Sequence, residues 1–107
     1  MRPRLSIHLN NFGQSGIDIG RLVRLAENAD AAGIDRVVVS DHVVFGNDLE
    51  AYADPRIGGI EGGKQPTGPD GWWLEPLAVL TYVAARTKNI RLGTSILLAA
   101  LRRPIVL

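Results

Sequence analysis

The stretch Arg36-Val37-Val38-Val39-Ser40-Asp41-His42-Val43 most narrows what this chain can become. Three consecutive β-branched apolar residues with no polar residue between them suggest a strand covered on both faces, as the strands of parallel sheets are. The run ends abruptly in a carboxylate and an imidazole. Polar groups at the C-terminal tip of such a strand sit where α/β folds place their ligands. The functional reading therefore turns on Asp41 and His42, and on whether the other elements present them.

The elements around this stretch are consistent with that fold. Leu5-Ser6-Ile7-His8-Leu9 alternates apolar and polar and predicts a first short strand, and residues 10–16 form a loop rich in turn formers. Asp18 is placed to cap a helix on which Ile19, Leu22, Val23, Ala26, Ala29 and Ala32 or Gly33 recur at helical spacing. Gly33 suits the left-handed residue that ends many helices, and Ile34 leads into the valine strand. The order strand, helix, strand is a βαβ unit, which is parallel and right-handed in nearly all cases.

Between about 45 and 72 the character changes. Gly46, Gly58, Gly59, Gly62, Gly63, Gly68 and Gly71, with Pro55, Pro66 and Pro69, break any periodicity. A loop this long in a compact domain calls for a functional explanation, and its position after Asp41-His42 predicts a lid. Trp73-Leu74-Glu75-Pro76 reads as a helix start with Pro76 in the first turn. The following residues 77–87 are apolar on more than one face, which predicts packing on more than one side. Ile90-Arg91-Leu92-Gly93-Thr94-Ser95-Ile96-Leu97-Leu98 predicts a third strand, with a bulge or close backbone approach at Gly93. Leu101-Arg102-Arg103-Pro104 is a turn before another proline-started helix, where the pattern breaks off inside what reads as a βαβαβα repeat.

Composition removes several function classes. The 107 residues carry a formal charge of +1, with arginines scattered and no aromatic and basic interleaving, so nucleic acid is not an expected partner. With no cysteine there is no disulfide or thiolate chemistry, which fits a cytoplasmic location. No stretch approaches the roughly 20 apolar residues of a membrane span, and no signal peptide is evident. His8 and His42 stand apart from any carboxylate cluster, so no metal site is expected. Gly62-Gly63-Lys64 is not followed by Ser or Thr, so it is not a P-loop.

Four segments in register resemble the N-terminal part of the bacterial luciferase-like superfamily. They are Ser40-Asp41-His42-Val43, Trp73-Leu74-Glu75-Pro76-Leu77, Ile90-Arg91-Leu92-Gly93-Thr94-Ser95-Ile96 and Leu101-Arg102-Arg103-Pro104. Ser-Asp-His at the second strand tip, where flavin mononucleotide members more often show a glutamate before a histidine pair, is similar to the branch that uses coenzyme F420. The resemblance implies an α/β fold of the (β/α)8 TIM-barrel type, with residues 1–107 supplying the first three β/α units of a barrel that needs about 250 residues. It further implies that Asp41 and His42 contact the coenzyme, with His42 acting near its reacting carbon. It places a non-prolyl cis peptide at Ser95-Ile96, behind the ring.

Each assignment has an ordinary structural alternative. His42 competes with a strand-end histidine bonded to a loop carbonyl, and Asp41 with a turn-capping aspartate. His8 reads as structural, with a place at the same mouth as the alternative. Asn10 and Phe12 read as plain loop, or as the floor of a pocket. Trp72 and Trp73 read as packing beneath the lid, with a substrate pocket as the alternative, and Arg102 and Arg103 as a solvated pair before a helix, with the coenzyme phosphates as the alternative. Three functions follow. The first is an F420-dependent oxidoreductase transferring a hydride between the deazaflavin and a small organic substrate. The second is an FMN-dependent monooxygenase. The third is a non-catalytic half-barrel, a homo-oligomer completed through its sheet edges and apolar helices.

Overall fold

A computed structural model describes residues 3–43, 46–57, 63 and 65–104. In chain order the elements are β1 (Ser6–His8), β2 (Phe12–Gly13), α1 (Ile19–Ala31), β3 (Arg36–Val39), β4 (Trp72–Trp73), α2 (Pro76–Ala84) and β5 (Arg91–Thr94), with short 3-10 turns at Glu50–Ala53, Pro55–Ile57 and Ala99–Leu101. The main sheet is parallel in the order β1-β3-β5, and β2 pairs antiparallel with β4. The valine strand is central, and the sheet around it is parallel, as its composition predicts.

Strand register explains which residues are buried. Ile7, Val37 and Leu92 are paired across the sheet, and side chains alternate between faces along each strand. Val37 and Val39 are fully buried and pack with Leu9, Leu22, Val23, Ala26, Ala29, Val79, Val83 and Ile90 in one core. Both helices therefore lie on one face of the sheet. His8, Val38 and Gly93 are paired on the other face, where Val38 is only half-buried. Cover on both faces, expected from the valine run, holds among the described residues on the helix side alone.

Local chemistry sets the element ends. The Asp18 carboxylate accepts from the Arg21 N–H at 2.8 Å and caps α1. Gly33, at φ +74°, ends that helix with the Ile34 N–H donating back to Ala29. Leu22, Val23, Ala26 and Ala29 form its buried stripe, while Ile19 is exposed. Glu75 caps α2 by accepting from the Ala78 N–H, and Pro76 opens the helix. α2 buries one stripe of Pro76, Val79 and Val83. It packs against both the sheet and the neighbouring α1, as expected of 77–87, while Tyr82, Ala84 and Ala85 are exposed.

Asp30 accepts from the backbone N–H groups of Lys88, Asn89 and Ile90, and so sets where β5 begins. β5 then runs in unbroken register with β3. A Cβ on Gly93 would make only ordinary contacts with Val38 and Arg36, so neither the bulge nor the close approach expected there occurs.

The glycine-rich loop is more structured than its sequence suggests. Two 3-10 turns lie within it, and its end is pinned because Trp72 and Trp73 pair with Gly13 and Phe12. The Gly68 N–H also donates to Gln14 at 2.6 Å. Gly58, Gly59 and Gly62 of that loop, and the helix expected at 105–107, lie outside the described residues.

Candidate functional site

Parallel strands point their C-terminal tips the same way, so His8, Ser40 to His42 and Ser95-Ile96 come to one end of the sheet. The four residues singled out in the sequence sit at the tips of the neighbouring strands β3 and β5.

Asp41 is held by its surroundings. Its side chain is 4% exposed, and Oδ2 accepts from the Leu98 N–H at 2.9 Å and from Arg102 Nη2 at 3.1 Å. The carboxylate thus ties the β3 tip to the segment after β5. Arg102 is not the solvated residue its sequence context predicts: it also reaches Glu75 at 2.6 Å. Glu75 first, then Asp41, push its guanidinium above the already high arginine value. One arginine therefore joins the β3 tip, the start of α2 and the turn at Ala99–Leu101.

His42 packs against Trp73, with ring centroids 4.7 Å apart and planes inclined by 40°, and its Nε2 atom is buried. Trp73 stacks on Phe12 at 4.5 Å and donates from Nε1 to the buried Thr67 hydroxyl at 3.0 Å. The packing role expected of the tryptophans thus falls to Trp73, while Trp72 is exposed. Phe12 is part of this stack rather than plain loop.

Ser95-Ile96 is a cis peptide. The Ser95 N–H donates to the Val39 carbonyl at 2.8 Å, extending the ladder one residue past β5. Ile96 is 69% exposed and Val43 66%, so the strand tips carry large apolar side chains in the open.

The residue that sequence reasoning missed is Asn11. It is fully buried, with Nδ2 donating to the Ser40 and Leu74 carbonyls at 2.8 and 3.0 Å and Oδ1 accepting from the Ser40 N–H at 3.0 Å. Its own carbonyl accepts from the Leu74 N–H. One amide thus fixes the β1 loop, the β3 tip and the approach to α2. In sequence it is one of two adjacent asparagines in a turn, with nothing to mark it as buried.

The arrangement defines a class: a helix-backed parallel sheet with ionisable and exposed apolar groups at its C-terminal tips, the place where α/β proteins hold ligands. More narrowly, residues 5–107 match the luciferase-like monooxygenase family, and the chain belongs to that family. No curated relative and no solved structure matches. Members of this family use flavin or F420 cofactors.

The residues suit the ring of such a group. Exposed Ile96 offers an apolar surface for a planar ring, and Asp41 and His42 stand on the adjoining tip. The phosphate-bearing end is a different matter, because Arg102 is already engaged by Asp41 and Glu75. No helix of the described residues is long and apolar enough to cross a membrane.

Proposed function

We propose that this chain forms the ring-binding part of an F420-dependent oxidoreductase built on a (β/α)8 barrel, of which it supplies the first three units. The observation that carries the reading is the convergence of Asp41, His42, Ser95 and the exposed Ile96 on adjacent tips of a parallel sheet. When bound, the deazaflavin transfers a hydride to or from a small organic substrate. Ile96 and Ser95 support the ring from behind. His42 moves the accompanying proton, the role for which imidazole is suited near neutral pH. Trp73 fixes the plane of that imidazole. Asp41 holds the segment after β5 in place through Leu98 and Arg102, and so sets where Ile96 stands.

The second reading is an FMN-dependent monooxygenase, favoured by the description of the family. Ser40-Asp41-His42 in place of a glutamate before a histidine pair favours F420. Self-association belongs to the same proposal: among the described residues β1 and β5 each pair on one side only, and Ile19, Leu25 and Tyr82 are exposed.

Fluorescence titration of the chain with F420 and, separately, with FMN tests the assignment, with light scattering giving the assembly state. Saturable F420 binding that falls at least tenfold in His42→Phe supports it, since phenylalanine keeps a ring against Trp73 and removes the nitrogens. Tighter binding of FMN moves the chain to the monooxygenase reading. A stable oligomer that binds neither leaves it a non-catalytic half-barrel.

A further inference from the structure

His8 and Ser40 meet on the helix-free face of the sheet, with His8 Nε2 2.8 Å from Ser40 Oγ. The other ring nitrogen faces Asn10 Oδ1 at 3.3 Å, and Ser40 Oγ lies 3.4 Å from the Ser95 carbonyl oxygen. A chain of polar atoms therefore crosses all three strand tips and ends on the Ser95 carbonyl.

Asn10 Oδ1 and the Ser95 carbonyl only accept, Ser40 has one hydroxyl proton, and a neutral imidazole has one N–H and one acceptor nitrogen. With the imidazole proton on Nδ1, toward Asn10, Nε2 must accept and the Ser40 hydroxyl donates to His8. When His8 takes a second proton, Nε2 becomes a donor, Ser40 Oγ accepts from it, and the hydroxyl proton turns to the Ser95 carbonyl. The 2.8 Å contact between His8 and Ser40 serves either state with its donor reversed, while the 3.4 Å reach from Ser40 Oγ to the Ser95 carbonyl is long for an O–H···O bond.

We propose that His8 is a positioning residue of this site, whose protonation reverses the Ser40 hydroxyl from His8 Nε2 to the Ser95 carbonyl. His8 is exposed and shares a cavity of about 280 Å3 with Asn10, Phe12, Asp18 and Arg21, so solvent protons reach it. Asp18 and Arg21, of opposite sign, are the charged groups that the start of α1 contributes to that cavity. From β3 the titratable neighbours in sequence are Asp41 and His42, and β5 brings only Arg91, at the far end of its strand. β2 contributes the Phe12 ring, 6.0 Å from the imidazole. The consequence for function rests on the coenzyme reading above: protonation binds the β3 tip to the peptide behind the ring, and one hydrogen bond at that point alters ring affinity about two- to tenfold.

Nitrogen-15 NMR of the imidazoles in the intact chain, followed from pH 8 to pH 5, tests the switch without any ligand. The expected result is neutral His8 protonated on Nδ1, with Ser40→Ala moving it toward the Nε2–H form. Neutral His8 found as Nε2–H in the unmutated chain overturns the proposal, because the Asn10 amide then donates and Ser40 does not reverse. Parallel F420 titration separates the two ideas. Nδ1–H without coenzyme binding sinks the functional reading and keeps the switch; Nε2–H with coenzyme binding does the opposite.

Discussion

Replacing Asn11 with alanine removes three hydrogen bonds at once and leaves the Ser40 N–H and the Ser40 and Leu74 carbonyls without that partner. Each bond of this kind contributes about 0.5–1.5 kcal/mol net, and a group stranded in the interior adds to the loss. Because Asn11 is fully buried, a loss of about 3 kcal/mol is expected, water in the vacated space offsetting part of the penalty. Domains are held by about 5–15 kcal/mol, so the change is large yet leaves a folded population. In urea, with a slope of about 1.5 kcal/mol per molar, the unfolding midpoint falls by about 2 M. Asn11→Asp separates hydrogen bonding from shape. It keeps the acceptor for the Ser40 N–H but turns a second oxygen toward two carbonyls, so at pH 7 it must lose at least as much as alanine. Asn10→Ala, at the exposed neighbour, stays within about 0.5 kcal/mol. A midpoint drop below about 0.7 M for Asn11→Ala, or an aspartate variant more stable than the alanine, refutes the view that this amide fixes the strand tips.

Arg102→Ala strands the nearly buried Asp41 carboxylate with one backbone donor, and a loss of about 2–3 kcal/mol is expected in denaturant unfolding. Arg102→Lys recovers only part of it, since a single ammonium does not reproduce the fork to Asp41 and Glu75. Acid acts through Asp30 and Asp54. The Lys88 N–H chiefly, with those of Asn89 and Ile90, holds the Asp30 carboxyl below its ordinary value of 3.8, and Arg56 does the same for Asp54. The unfolded chain therefore binds protons first, so their contribution is complete above about pH 5 and fades as pH falls through the lowered values. Circular dichroism during acid titration checks this, with Asp30→Asn expected to flatten the decline.

Much of the backbone plan is legible in the residues. The spacing of Leu22, Val23, Ala26 and Ala29, the cap at Asp18 and the stop at Gly33 define α1 from local physics alone. The same holds for the Glu75-Pro76 start of α2, and for the strand made of three valines. The short β2–β4 pair was not legible, because two residues a side carry no periodicity and exist only through contacts distant in sequence. Arg102 could not be told from a solvated arginine until the chain brought Asp41 and Glu75 to it. Asp30 and Asn11 are similar cases, since their partners lie mostly in segments far along the chain.

By itself the sequence determined the period and cap of α1, the start of α2 and the valine strand, since these depend on neighbours a few residues away. It also placed Asp41 and His42 at a strand tip. Tertiary structure alone decided which polar groups meet there, that Asp41 faces Arg102 and Leu98, and that His8 faces Ser40. Those contacts depend on strand register and crossover, which bring residues about 30 to 60 positions apart within hydrogen-bond reach, and no local pattern encodes such distances.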